Sequence, residues 1–491
     1  MWERSRDPLS HYLKMVYAGL SLMPVALWAT LIMVVILWLP ALIMTINEAI
    51  YYVAYIRSRS GQRLGGGEIS GRLSIIVPVK GESLELITEL INSVSRIEWP
   101  HNNMELIIIS DDDEAAFNSL KKHVAELKPT MEARLIRRER GVNGRTGALN
   151  EGLRNATGQY LLVIDVDSIV HPSFPRMAAE ALKGNVAAVV SRWRGRNWDT
   201  LVSQAVSASM DFTVDSLWGG RQALGLPLYV IGSGTMFRVD ALRGVGGWFP
   251  AALQDDMDMG AILMRNGYTV KFIELPTLVE NPRTYSVFRF QQYKWAYGTA
   301  DVLRRRFMDI MRAPINAWAK LDSTIFLMQY LAVPLLLLAV MVAGVGSIVM
   351  GIDIMRILWP LAIIHIGLLA IISFFYGDSL RRHGLNRWES SIYAGRSSAI
   401  MGALAPHLLI ATIKGFMGIP INWGVTPKGG PARLRAAPLE LVTAILLSLL
   451  LVINVFLSHW LMAFFILMML LPFLYVFYRF PDESLSGIRR F

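Results

Sequence analysis

Four stretches without a single charged side chain dictate what this chain can fold into. Met15–Asn47 runs for 33 residues without Asp, Glu, Lys or Arg, and Leu441–Tyr478 runs for 38. Ser323–Ile352 and Ile357–Gly377 form a pair split by Asp353 and Arg356. A helix needs about 20 apolar residues to cross a bilayer core of ~30 Å, whereas the apolar core of a signal peptide has only roughly 7–15. The first stretch therefore reads as a membrane anchor and the middle pair as two spans. The last reads as two spans turning near Ser458, His459 and Trp460.

Between the anchor and the first pair lies a polar block, from about Arg72 to Lys320. Short β-rich runs recur in it: SIIVPV (Ser74–Val79), ELIIIS (Glu105–Ser110), RLIRR (Arg134–Arg138) and YLLVID (Tyr160–Asp165). Helical stretches separate them, the pattern of an α/β sheet covered on both faces. GQRLGGGE (Gly61–Glu68) reads as a linker into this block.

The chain is 53% hydrophobic and 18% charged, yet carries a formal charge of +10. Soluble domains are about 25% charged, and such basicity implies either nucleic acid or a membrane surface. The positions of the basic residues decide. Arg57–Arg72 holds four Arg against one Glu, Leu303–Lys320 holds five basic residues against Asp309, and Lys428, Arg433 and Arg435 precede Glu440. The turns at Asp353/Arg356 and His459 carry no net charge. By the positive-inside rule the polar block faces the cytoplasm, and no nucleic-acid partner is needed. The absence of cysteine excludes disulfides, thiolate metal sites and cysteine nucleophiles.

Three acidic clusters carry the chemistry. Asp165-Val166-Asp167 ends the strand YLLVI, placing two carboxylates at the carboxyl edge of the sheet, where open α/β folds bind ligands. Such a pair suits a hard divalent cation on a diphosphate, although acidic pairs are also common in solvated loops. Asp111-Asp112-Asp113 follows the second strand in the same way. Asp113 and Glu114 read better as helix-capping residues. Gln254-Asp255-Asp256-Met257-Asp258 opens a helix ending at Gly267, whose dipole favours ionised carboxylates. That is the state a general base needs, but simple capping explains the cluster equally well.

In order, PVKGE (Pro78–Glu82), Asp111-Asp112, GRTGALN (Gly144–Asn150), DVD, GSGTMFR (Gly232–Arg238), GGW (Gly246–Trp248), QDDMDMG and Gln291-Gln292-Tyr293-Lys294-Trp295 resemble the membrane-embedded, inverting family 2 glycosyltransferases. Trp423-Gly424-Val425-Thr426-Pro427-Lys428 is similar to the FxVTxK gating loop of the cellulose synthase and hyaluronan synthase type. The resemblance covers nearly the whole chain. It implies an α/β GT-A domain, the nucleotide-diphospho-sugar transferase fold, inserted between transmembrane helices of a multi-pass protein.

The resemblance also implies roles. Pro78, Glu82, Asp111, Asp112, Arg145 and Asp165 would bind a UDP-sugar donor, with Asp111 and Asp112 reading the uracil and Arg145 touching the diphosphate. Asp165 and Asp167 would hold Mg²⁺ or Mn²⁺. Asp256 would be the catalytic base. Asp255, Gln291, Lys294 and Trp295 would bind the acceptor, and Trp423, Val425, Thr426 and Lys428 would gate the site. The sequence departs from the family at Gln254-Asp255, in place of Thr-Glu, at Lys294 in place of Arg, and at Trp423 in place of Phe. Lys lacks the planar bidentate fork of Arg. Outside this resemblance, a Trp beside Tyr, Lys and Arg at a membrane surface is an aromatic-belt anchor.

The expected organisation is residues 1–71 as anchor and linker, 72–300 as the cytoplasmic GT-A domain, and 301–491 as a membrane domain of about four spans. Residues 390–418 read as an interfacial helix, and 419–436 as the gating-type loop. Ala41–Arg57, with Asn47, Glu48 and three Tyr, reads as an interfacial continuation of a single N-terminal span. The expected activity is processive synthesis of a β-linked polysaccharide at the cytoplasmic face of the cell membrane. A non-processive transferase using a lipid-linked acceptor is the alternative. A transporter with a nucleotide-sensing domain is a third reading, opposed by spans with almost no ionisable residue besides His365.

Overall fold

The computed structural model describes residues 25–58, 71–250, 252–421 and 439–484. The linker Gly61–Glu68 and the gating-loop residues Trp423, Val425, Thr426 and Lys428 lie outside the described residues. The polar block folds around one eight-stranded sheet in the order β3-β2-β1-β4-β7-β6-β8-β5. The strands are β1 Leu73–Val79, β2 Met104–Ser110, β3 Glu132–Arg137, β4 Tyr160–Val163, β5 Ile169–Val170, β6 Val186–Gly195, β7 Thr235–Arg238 and β8 Thr269–Val279. β3, β2, β1 and β4 run parallel, β7 is antiparallel to both β4 and β6, and β8 is parallel to β6.

Alternation along the strands builds two cores. Leu73, Ile75 and Val77 join Leu106 and Ile108 on one face, while Ile76 joins Ile107 and Ile109 on the other. Because helices cover both faces, β1, β2 and β4 are buried nearly throughout, as the sequence pattern predicts for a parallel sheet. Pro78 sits in a central strand without cost. The Ile164 N–H donates to Ile76 O, so the side on which Pro78 lacks a donor lies beyond the end of β4.

Among the described residues, five helices are long and apolar enough to cross a membrane: Val25–Ser58, Gln329–Met350, Trp359–Arg382, Leu439–Phe456 and Trp460–Arg479. The break in the last stretch falls at Leu457–His459, with Ser458 in the left-handed region at φ 60°. The Asp353 carboxylate accepts the Leu461 N–H at 3.0 Å, so the two turns without net charge lie at the same end of the bundle. Arg387–Ala403 and Ala405–Met417 form a pair bent by 53°, where the sequence reads as one interfacial helix.

The N-terminal helix differs from expectation. Val25–Ser58 is a single helix of 34 residues with Pro40 inside it, about 51 Å long at 1.5 Å per residue, and it does not end at the junction before Ala41. Its last turns run under the catalytic domain, with Tyr51, Tyr52 and Tyr55 buried. Gly220 permits that approach, since a Cβ there would stand 2.1 Å from the Tyr51 carbonyl oxygen. Buried polar contacts fasten the joint. Asp322 accepts from the Tyr51 hydroxyl and from Arg221 at 2.5 Å, and Asp215 accepts from Arg192 and from Ser379 at 2.7 Å.

Candidate active site

Chain topology delivers the acidic clusters to one sheet edge. β1, β2 and β4 end side by side, and the segments leaving them carry Pro78–Glu82, Asp111-Asp112 and Asp165–Asp167. Together with the starts of the helices Gly144–Asn155 and Asp255–Arg265 and one face of the helix Tyr285–Met311, they enclose a cavity of about 650 Å³. Pro78, Glu82, Asp111, Arg145, Asp165, Asp167, Asp255, Asp256, Gln291, Lys294 and Trp295 all line it.

Asp112 stands off the lining. Its carboxylate accepts the Gly81 N–H at 2.6 Å and the Ser110 hydroxyl at 2.8 Å, so it shapes the loop after β1. Asp113 caps the helix Glu114–Leu127 by accepting the Ala116 N–H at 2.8 Å, as its position predicts. Asp111 is held bidentately by Arg138, at 2.7 and 2.6 Å, and Arg138 also reaches the carbonyls of Val142 and Gly144. Arg138 thereby ties the end of β2 to the helix carrying Arg145.

Arg145 is the electrostatic centre. It donates to Asp165 at 3.0 and 3.3 Å, to the Gly232 carbonyl at 2.7 Å and to Asp255. The Asp165 backbone N–H is held in turn by the Ser233 hydroxyl at 2.9 Å. The GSG stretch therefore braces the DVD segment and Arg145 at once. Asp255, expected as an acceptor contact, is engaged by Arg145 while facing the cavity. Asp167 is buried at 8% exposure.

Asp256 lies at the first turn of the helix Asp255–Arg265, where it accepts the Met257 N–H at 2.8 Å. The helix start was expected to keep it ionised; burial and the neighbouring Asp255 carboxylate oppose this and push its pKa up to about 7. Desolvation and the like charge of Asp255 outweigh the dipole, which supplies only partial charge. Two residues on, Asp258 accepts from Arg305 at 2.6 Å and from Arg306 at 3.0 Å. That clamp locks the helix Asp255–Arg265 to Tyr285–Met311, on which Gln291, Lys294 and Trp295 share one face by their i, i+3, i+4 spacing.

The sequence reasoning did not single out Arg138, Ser233 or Trp193, all of which shape the cavity or its supports. Ser233 sits in a quoted motif, but Arg138 and Trp193 are strand-end residues with no local signature. Among the described residues, no group of three or more His, Asp or Glu side chains is arranged to hold a metal ion.

A mixed α/β sheet whose carboxyl edge gathers these acids and Arg145 defines a GT-A-type glycosyltransferase. The Glycosyl transferase family 2 sequence model matches residues 74–246. A probable glycosyltransferase of Sulfolobus acidocaldarius is 32% identical over 369 residues, covering 73% of this chain and 77% of that protein. The chain belongs to glycosyl transferase family 2. It is also 26% identical to glucomannan 4-beta-mannosyltransferase 2 of Arabidopsis thaliana, over 47% of this chain and 45% of that one, so it spans less than half of that plant relative. Among solved structures, the mannosyltransferase PcManGT from Pyrobaculum calidifontis, in complex with GDP-Man and Mn²⁺, superposes with a TM-score of 0.54 at 16% identity. That match covers 81% of this chain and all of PcManGT, and it bears on the fold.

Proposed function

We propose that this enzyme is an inverting hexosyltransferase that moves a sugar from a nucleoside-diphosphate donor to a hydroxyl of a growing β-linked polysaccharide. The observation that carries the reading is Asp256: a carboxyl at the cavity wall, raised to about 7, is matched to proton abstraction near neutral pH. The acceptor hydroxyl forms its bond to the anomeric carbon as that carbon's bond to the diphosphate breaks, and the proton passes to Asp256. Attack opposite the leaving group converts an α-linked donor into a β-glycoside. Arg145 and the amino end of the helix Gly144–Asn155 offer positive charge to the diphosphate.

Asp165 and Asp167 suit a hard cation that takes its remaining oxygens from the diphosphate rather than from an all-protein cage. Mg²⁺ or Mn²⁺ held there would offset charge on the departing nucleoside diphosphate. The sequence resemblance favours a UDP-sugar, while mannosyl transfer in the named relatives brings GDP-mannose alongside it. The basic flanks support a catalytic domain on the cytoplasmic side of the cell membrane, with a multi-pass bundle lying against the acceptor helix. Processive extension with export through the bundle follows from the gating-loop resemblance.

The test is a donor screen. Purified protein in detergent, given UDP-glucose, UDP-N-acetylglucosamine or GDP-mannose, should release nucleoside diphosphate from one donor and only with Mg²⁺ or Mn²⁺. Product sizing separates a polymer from single addition to a lipid. Full activity in Asp256→Asn would refute the mechanism.

A further inference from the structure

The strand order sets out the cavity as a line. β6 runs parallel to β4, because each is antiparallel to β7 between them. The carboxyl end of β6 therefore opens on the same edge as Asp165, two strand spacings away, or about 10 Å. Asp111 lies two strands from β4 in the opposite direction. With the diphosphate at Asp165 and Arg145, the nucleoside extends toward Asp111, and the β6 end is left for what lies beyond the transferred sugar.

Trp193 occupies that end. It is half-buried, it lines the cavity, and its indole N–H donates to the Ser233 carbonyl at 2.7 Å. The indole is thus oriented by the same serine whose hydroxyl holds Asp165. Met210 and Val287 continue an apolar wall around it. Across the same cavity, Gln291 lines the wall with a side-chain oxygen that has no hydrogen-bond partner among the described residues, whereas the Gln254 oxygen packs against Gly298. An aromatic face pinned by its polar edge, beside a polar wall, matches a ligand with an apolar ring face and a rim of hydroxyls.

We propose that Trp193 is an aromatic platform of the acceptor subsite, packing on a neutral pyranose near the end of the acceptor chain. Trp295 lines the same subsite from the helix Tyr285–Met311. The proposal rests on the glycosyl-transfer reading and narrows its acceptor to a carbohydrate rather than a lipid phosphate.

The experiment compares wild type, Trp193→Ala and Trp193→Phe, with cellohexaose and mannohexaose as acceptors. Trp193→Ala should raise the KM for the better hexaose about tenfold while the donor KM stays within about twofold. Trp193→Phe should recover most of that loss, which a purely structural defect would not allow. An unchanged acceptor KM, an equal rise in donor KM, or no recovery in the Phe variant would overturn the proposal. Calorimetric binding of the hexaose, with nucleoside diphosphate present, reads the platform without turnover. Tighter binding by wild type than by Trp193→Ala, together with no donor turnover in the kinetic assay, would uphold the platform and refute the transfer reading. Equal binding by the two would refute the platform.

Discussion

Arg145 and Asp165 are already bonded to each other, the guanidinium donating at 3.0 Å to the first carboxylate of the DVD segment. In the proposed reaction a diphosphate entering the cavity would have to share or displace that contact, so Arg145 would serve both as a placeholder and as a donor to phosphate. Arg145→Ala should raise the donor KM about 10- to 100-fold, the effect of a charge-assisted hydrogen bond. Arg145→Lys should recover only part, lacking the second prong. Steady-state kinetics in donor concentration would reveal an unaffected KM if Arg145 had no such role.

Asp256→Asn should lower turnover by about 10²–10⁴-fold while nucleotide binding by calorimetry is retained. The same substitution has a stability signature. With its pKa raised to about 7, from an ordinary value of about 3.9, Asp256 keeps a proton in the folded chain that the unfolded chain loses. Folding stability therefore falls as pH rises from about 4 to about 7, and the cost persists above 7. The neutral Asn escapes it, so Asp256→Asn should melt higher than wild type above pH 7 and alongside it near pH 4.

The pH profile of turnover should rise through about 7 as Asp256 ionises. Asp255→Asn removes the adjacent carboxylate that helps raise Asp256, so the acidic limb should shift by about one unit toward lower pH. Arg145→Ala should move it the other way, since Arg145 lowers the Asp256 pKa. Limbs that coincide in all three proteins would assign the titration to another group.

Glu440, fully buried at the start of Leu439–Phe456, accepts from Arg289 at 2.8 Å and lies 2.7 Å from His407. It joins the helix Tyr285–Met311 to the apolar helices Ala405–Met417 and Leu439–Phe456. Replacing it by Leu strands Arg289 as a buried charge, at a cost of about 3–5 kcal/mol. Thermal unfolding in detergent should show a sharply lower midpoint for Glu440→Leu and a smaller change for Glu440→Gln.

Gly415 sits at a close approach of Ala405–Met417 to Tyr285–Met311, where a Cβ would meet the Tyr297 carbonyl oxygen at 2.4 Å. Gly415→Val should cost about 1–3 kcal/mol through overpacking. An unaltered melting midpoint would mean the two helices separate freely.

Much of this was legible in the order of residues. Uncharged runs fall on the apolar helices because a bilayer core sets their length. Alternating strands and helices foretell a covered sheet, and Asp165 and Asp111 follow strands whose ends a parallel sheet must align, whereas Asp256 opens a helix that lines the same cavity. Arg138 and Trp193 were not legible, because a strand-end Arg or Trp has no local pattern to distinguish a site support from a surface residue. The single helix Val25–Ser58 also escaped notice, since polar residues after Ala41 suggest an interface when no catalytic domain is known to cover them.

The sequence by itself determined the architecture, the edge at which the acids gather and the chemistry those acids permit. Only the tertiary structure decided their electrical state. Asp256 is raised rather than kept ionised, Asp255 is given to Arg145, and Asp112 is turned away from the cavity. The reason is that pattern reports which side chains share a face, whereas a pKa depends on water excluded and charges met across elements far apart in the chain.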